Sequence, residues 1–125
     1  MVIKESAENY LEAILMIKRQ KGYVRSIDIA NFLNFTKPSV SVAMKSFREE
    51  GYIIVDHDGN ITLTEKGMKI AEKVYERHEV IAEALMALGV EHDIAYEDSC
   101  KVEHVISQQT FEKLKEHLQQ KNIIK

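Results

Sequence analysis

The stretch SIDIANFLNFTKPSVSVAMKSFREEGYIIVDHDGNITLT, residues 26–64, changes its pattern several times and thereby decides the fold. Ser26 reads as the N-cap of a short helix, with Asp28 in its first turn and Ile29, Ala30 and Leu33 facing inward. Asn34 and Phe35 make a brief turn. Thr36 is a second N-cap, and Pro38 suits the first turn of the helix that follows, through Ser39, Val40, Met44 and Phe47 to Gly51. Two helices joined by so short a turn form a helix-turn-helix. The β-branched residues on either side of Asp58-Gly59-Asn60 then predict a small hairpin.

Outward from this stretch the chain is helical. Upstream, residues 4–20 predict an amphipathic helix with Ala7, Leu11, Ile14 and the stem of Lys18 on one side, flanked by Tyr10 and Ile17. Glu5, Asn9, Glu12 and Met16 take the opposite side. Three helices followed by a hairpin make a winged helix-turn-helix. Downstream, Thr64 caps a long helix that reaches about Leu88, with Gly89 as its stop. Asp93 begins a fifth helix carrying CKVEHV, and Ser107 caps a sixth with Phe111, Leu114 and Leu118 on its apolar stripe. The expected fold class is therefore mainly α. The expected boundary lies inside the fourth helix, giving a winged helix-turn-helix domain over 1–71, a motif that binds DNA, and a helical domain over 72–125.

Composition agrees. The 125 residues are 45% hydrophobic, with one proline, five glycines and no tryptophan, which suits a helical protein with a core. No apolar run approaches the roughly 20 residues needed to cross a bilayer. MVIKESAENY turns acidic too early for a secretory signal. The single cysteine leaves no internal disulfide, and a reducing, cytoplasmic location is expected. A net charge of −3 gives no bulk attraction to nucleic acid, so any such role rests on local placement of charge.

CKVEH, residues 100–104, places a thiol, a carboxylate and an imidazole at helical offsets of three and four. Divalent transition metals take these donors, and such a triplet supplies three ligands within about one turn. The plainer reading makes Cys100 a small core residue and leaves Glu103 and His104 facing solvent. His78, within YERHE on the fourth helix, and Glu12 on the first extend the set of candidate donors.

ESAENYLEAI, the winged helix, YERHEVIAEALMALGV and SCKVEHVIS follow one another in the order and spacing of the diphtheria-toxin-repressor and manganese-transport-regulator family. The resemblance covers essentially the whole chain. It resembles the short, two-domain members, without the SH3-like domain of the longer ones. The resemblance implies a metal-activated, DNA-binding repressor controlling metal-ion homeostasis, and not an enzyme. It implies a homodimer on double-stranded operator DNA, with no membrane and no small-molecule substrate as partner.

Carried over by position, the implied metal ligands are Glu12, His78, Cys100, Glu103 and His104. Asn9 falls where relatives have Asp or Met, and its amide oxygen is a poorer donor. The second site of iron-responsive members retains His78 but meets Ala82 and Tyr96 where acidic and histidine partners are expected, with Glu83 next door. One good site is therefore expected. Manganese-sensing relatives tend to have Glu at the position of Cys100, and iron-sensing ones Cys. A soft thiolate agrees with Fe²⁺ ahead of Mn²⁺, while Zn²⁺ and Co²⁺ suit the same donors in vitro.

The recognition helix is the one that begins TKPSVSVAMK. Lys37, Ser39 and Ser41 lie at its N-terminus, where backbone N–H groups favour phosphate, and Thr36 caps it. Pro38 and Val42 can meet thymine methyls, while Arg25, Lys45 and Arg48 can add phosphate contacts. The first two turns contain no Arg, Asn or Gln, so shape and backbone contacts carry much of the expected specificity. His57, His92 and His117 read as surface residues. A manganese-responsive regulator is the nearest alternative. A small zinc metalloenzyme is the alternative of another class, disfavoured because no separate general base stands out. A dimeric winged-helix protein with a vestigial metal site is the third.

Overall fold

The computed structural model describes residues 5–124. They form two compact units, divided between Glu72 and Lys73. Along the chain the elements are α1 (Glu5–Lys21), α2 (Ser26–Leu33), α3 (Lys37–Glu49), β1 (Ile53–Val55), β2 (Ile61–Leu63), α4 (Glu65–Ala87), α5 (His92–Val102) and α6 (Gln108–Gln120). The protein is mainly α with one small sheet, as the sequence predicts. Lys4, the expected first residue of the first helix, lies outside the described residues. No helix among the described residues is long and apolar enough to cross a membrane.

In the first unit, Tyr10, Leu11, Ala13, Ile14, Leu15 and Ile17 of α1 are all buried. So is Glu12, which corrects the expected polar side of this helix: α1 is enclosed on more sides than its period suggests. Tyr10 and Phe47 meet edge-on at 5.8 Å, and Phe47 and Tyr52 at 6.2 Å, which joins α1, α3 and the start of β1 through aromatic contacts. α3 is capped as expected, with the Thr36 Oγ1 accepting from the Ser39 N–H at 3.3 Å. Its inner side is Val40, Met44 and Phe47.

The start of α2 differs from expectation. Arg25, not Ser26, is the N-cap. Asp28 Oδ2 accepts from the Arg25 backbone N–H at 2.9 Å, and this half of a capping box fixes the helix start one residue earlier. Lys21 Nζ donates to the other Asp28 oxygen at 2.7 Å. That bond above all, opposed by partial burial and aided by the Arg25 N–H, holds the Asp28 carboxyl below the usual carboxylate range.

β1 and β2 pair antiparallel with Ile53 opposite Leu63, Ile54 opposite Thr62 and Val55 opposite Ile61. The loop between them is organised by Asp56, whose Oδ1 accepts from the N–H groups of Asp58 and Asn60, both at 2.9 Å. These bonds, that from Asn60 foremost, hold the Asp56 carboxyl below its ordinary range. Ile61 donates to the Val24 carbonyl at 2.7 Å, and Val24 donates to Asn60 Oδ1 at 3.1 Å. The wing is thus tied to the segment before α2.

α4 starts where expected. Thr64 Oγ1 accepts from the Gly67 N–H at 3.2 Å and donates to the Gly51 carbonyl at 2.7 Å. Gly67 permits a close approach, because a Cβ there would stand 2.1 Å from the Tyr52 carbonyl oxygen.

In the second unit, Val80 and Ala84 of α4 pack with Phe111 and Leu118 of α6, joined by Ile106, Leu114 and Ile124. Ser107 caps α6 as predicted, accepting from the Thr110 N–H at 3.1 Å. α5 begins at His92, one residue before the expected Asp93, with Glu91 as its N-cap.

Candidate metal centre and nucleic-acid interface

Four of the predicted metal-ligating residues belong to the second unit and meet there. α5 stops at Val102, so Glu103 is its C-cap and His104 lies in the following turn. This corrects, for His104, the premise that Cys100, Glu103 and His104 stack on one helical face. Glu103 keeps helical backbone angles and its N–H still bonds the Ser99 carbonyl at 3.0 Å, so the candidate donors converge from a helix end and the turn after it.

Burial also reverses the plainer reading of the triplet. Cys100 is exposed, whereas Glu103 is 1% exposed and the His104 side chain 2%. His78 on α4 is 6% exposed. The Glu103 carboxylate lies between two imidazoles: Oε2 is 3.6 Å from His78 Nδ1, and Oε1 is 3.2 Å from His104 Nε2. Cys100 Sγ is 3.4 Å from His78 Nε2. Burying a carboxylate is costly unless positive charge compensates it. Two imidazoles, a carboxylate and an accessible thiol match the donor set of a divalent transition metal, so the residues fit the metal their types suggest.

The backbone beneath these donors is fixed by two residues the sequence reading passed over. Ser99, fully buried beside Cys100, donates its hydroxyl to the His78 carbonyl and so ties α5 to α4. Arg77, next to His78, donates through one guanidinium nitrogen to the Glu103 and Ile106 carbonyls, both at 3.1 Å. Its other terminal nitrogen reaches Gln108 Oε1 at 2.8 Å. Only their adjacency to His78 and Cys100 in YERHE and SCKVEH could have singled them out.

At the positions of the second site that the sequence reading expected to be lost, Ala82 is fully buried and Glu83 half-buried. Tyr96 donates its phenol to Glu79 Oε2 at 2.7 Å. Burial first, then the Glu79 hydrogen bond and nearby carboxylates, push its ionisation well above the ordinary tyrosine range. Glu79 is thus engaged by a neutral phenol.

Glu12 and Asn9 lie in the first unit on α1. Glu12 is 5% exposed and Asn9 half-buried. Of the predicted DNA-contacting residues, Thr36, Lys37, Pro38, Ser39, Ser41, Val42, Lys45 and Arg48 are all exposed along α3 and its cap. Val42 is 71% exposed, an apolar side chain left on the solvent side of a helix whose inner face is already filled. Arg25 is exposed too, but stands apart at the start of α2, on the segment that the wing joins. The Thr36 hydroxyl donates to Ser39 Oγ at 2.8 Å.

Known proteins resemble the chain in both halves. Residues 3–61 match the family described as iron dependent repressor, N-terminal DNA binding domain. Residues 64–122 match iron dependent repressor, metal binding and dimerisation domain. An uncharacterised HTH-type transcriptional regulator of Methanocaldococcus jannaschii is 35% identical over 115 residues, covering 90% of this chain and 92% of that protein. The HTH-type transcriptional regulator MntR of Lysinibacillus sphaericus is 30% identical over 114 residues, covering 91% of this chain and 82% of the relative. Among solved structures, the manganese regulator SloR superposes with a TM-score of 0.78 at 27% identity over 95% of this chain. The chain spans 55% of the length of SloR.

Proposed function

The chain belongs to the diphtheria-toxin-repressor and manganese-transport-regulator family of metal-dependent transcriptional regulators, which are not enzymes, and from this we propose that it is a homodimeric repressor whose hold on operator DNA depends on a bound divalent metal. The observation that carries the proposal is the Glu103 carboxylate buried between His78 and His104, with Cys100 against His78. We propose His78, Cys100, Glu103 and His104 as ligands, with Glu12 and Asn9 of α1 added on the family resemblance. A bound metal supplies positive charge that offsets the buried carboxylate. The protein's own groups supply the rest: two imidazole nitrogens, a carboxylate and a thiol held by α4, the end of α5 and the turn beyond. One such site per subunit is proposed, since Tyr96 engages Glu79 where a second site would form. The proposed location is the cytoplasm.

Fe²⁺ is the proposed metal, on the strength of the Cys100 thiol. Mn²⁺ is the second reading, favoured by the names of the relatives MntR and SloR. The two separate at Cys100. Cobalt loading of the parent should give a sulfur-to-cobalt charge-transfer band that Cys100→Ser lacks. Cys100→Glu should shift the ranking of Fe²⁺ and Mn²⁺ towards Mn²⁺, because a carboxylate is the harder ligand. An unchanged ranking in Cys100→Glu would place selectivity outside this residue.

For DNA, we propose that α3 enters the major groove and that a dimer presents two such helices about 34 Å apart, one turn of duplex. Lys37 is exposed at the first position of α3, where helix N–H groups already favour phosphate. Lys37→Ala should leave metal affinity as in the parent. It should weaken operator binding and reduce the slope of log K against log salt by about one. An unaltered slope would remove Lys37 from the phosphate contacts.

A further inference from the structure

We infer that Arg77 is a positioning residue of the metal centre: its guanidinium holds the turn that presents Glu103 and His104, without itself supplying a ligand. The inference rests on the metal reading given above. The last helical bond of α5 is from the Glu103 N–H to the Ser99 carbonyl at 3.0 Å, and beyond it one backbone bond, Val105 N–H to the Val102 carbonyl at 3.0 Å, closes the turn that carries His104. Arg77 donates side-chain hydrogen bonds to two carbonyls of this turn, those of Glu103 and Ile106, at 3.1 Å each. The same guanidinium reaches the first residue of α6 through Gln108 at 2.8 Å and lies over the Phe111 ring at 5.4 Å. One planar fork thus spans from the end of α5 to the first turn of α6.

Arg77 directly precedes His78, so the residue that carries one imidazole and the residue that holds the turn share a single rigid stretch of helix. Ser99 makes the reciprocal tie, from beside Cys100 back to the His78 carbonyl. Donor atoms set this way need little rearrangement when a metal arrives. Such support commonly contributes about 10- to 100-fold in metal affinity. Lysine keeps the charge but cannot form the planar fork.

The test is Arg77→Lys in the full chain, titrated with Co²⁺ and followed by absorption beside the parent. The expected result is about 10- to 100-fold weaker Co²⁺ binding with an altered charge-transfer band, while the circular dichroism matches the parent. A merely structural role would change thermal stability and leave the spectrum of the bound cobalt alone. Parent-like affinity and spectrum would overturn the inference. If Arg77→Lys fails to fold, Gln108→Ala, which removes only the outer arm of the fork, is judged by the same two outcomes. If the parent itself takes up no cobalt, the metal reading falls. Hydrogen exchange at the amides of residues 103–106 then decides the role of Arg77: faster exchange in Arg77→Lys supports it, and an unchanged rate refutes it.

Discussion

Replacing Glu103 by alanine should weaken metal binding by more than about 100-fold, beyond the usual effect of residues that only support a ligand. The DNA affinity of the variant should no longer respond to added metal. The carboxylate is 1% exposed and stands within 3.6 Å of both imidazoles, so its loss removes the one acidic group between them. His78→Ala and His104→Ala should do the same, each removing one wall of the site. Glu12→Gln and Asn9→Ala, in the same titration, should weaken binding by smaller factors. Circular dichroism should show the helices intact in all of them, since the core of the second unit is Val80, Ala84, Phe111 and Leu118. Parent-like metal affinity in the three alanine variants of the second unit would sink the assignment.

Gly67→Ala should destabilise the first unit by about 1–3 kcal/mol, although alanine is the better helix former by about 1 kcal/mol. The added Cβ would stand 2.1 Å from the Tyr52 carbonyl oxygen, and backbone cannot swing aside as a flexible side chain can. That carbonyl also accepts from the Thr64 N–H at 3.0 Å, so moving it disturbs the start of α4 as well. Urea unfolding measures the effect as a lower midpoint at unchanged slope. Lys69→Ala, an exposed change on the same helix, serves as the control. A Gly67→Ala protein more stable than the parent would show that α4 and Tyr52, just before β1, do not approach this closely.

The two predictions draw on information of different kinds, and the sequence held them unequally. Helix starts at Thr36, Thr64 and Ser107 were legible because a capping hydroxyl acts within three residues of itself. The start of α2 was misplaced by one residue because Ser26 and Asp28 are competing local signals, and the carboxylate at N3 prevails. The end of α5 was misplaced for a non-local reason. The turn at Glu103 is held by Arg77, 26 residues away, and no periodicity in CKVEHV records that bond. The burial of Glu12 was missed because helical spacing identifies a polar residue, not whether its side is enclosed. The candidate donors of the second unit, by contrast, could be named from the sequence: residue types are local, and only their convergence needs the fold.

The most direct test of metal-dependent repression is a single binding measurement. Affinity of the full chain for DNA upstream of its own gene is determined at fixed salt, with Fe²⁺, with Mn²⁺ and with chelator. Metal can raise that affinity only by binding the DNA-competent state more tightly than the other, and couplings of this kind typically amount to about 5- to 150-fold. The account predicts a rise within that range, largest for Fe²⁺ and lost in Glu103→Ala. Equal affinity with metal and with chelator would contradict it.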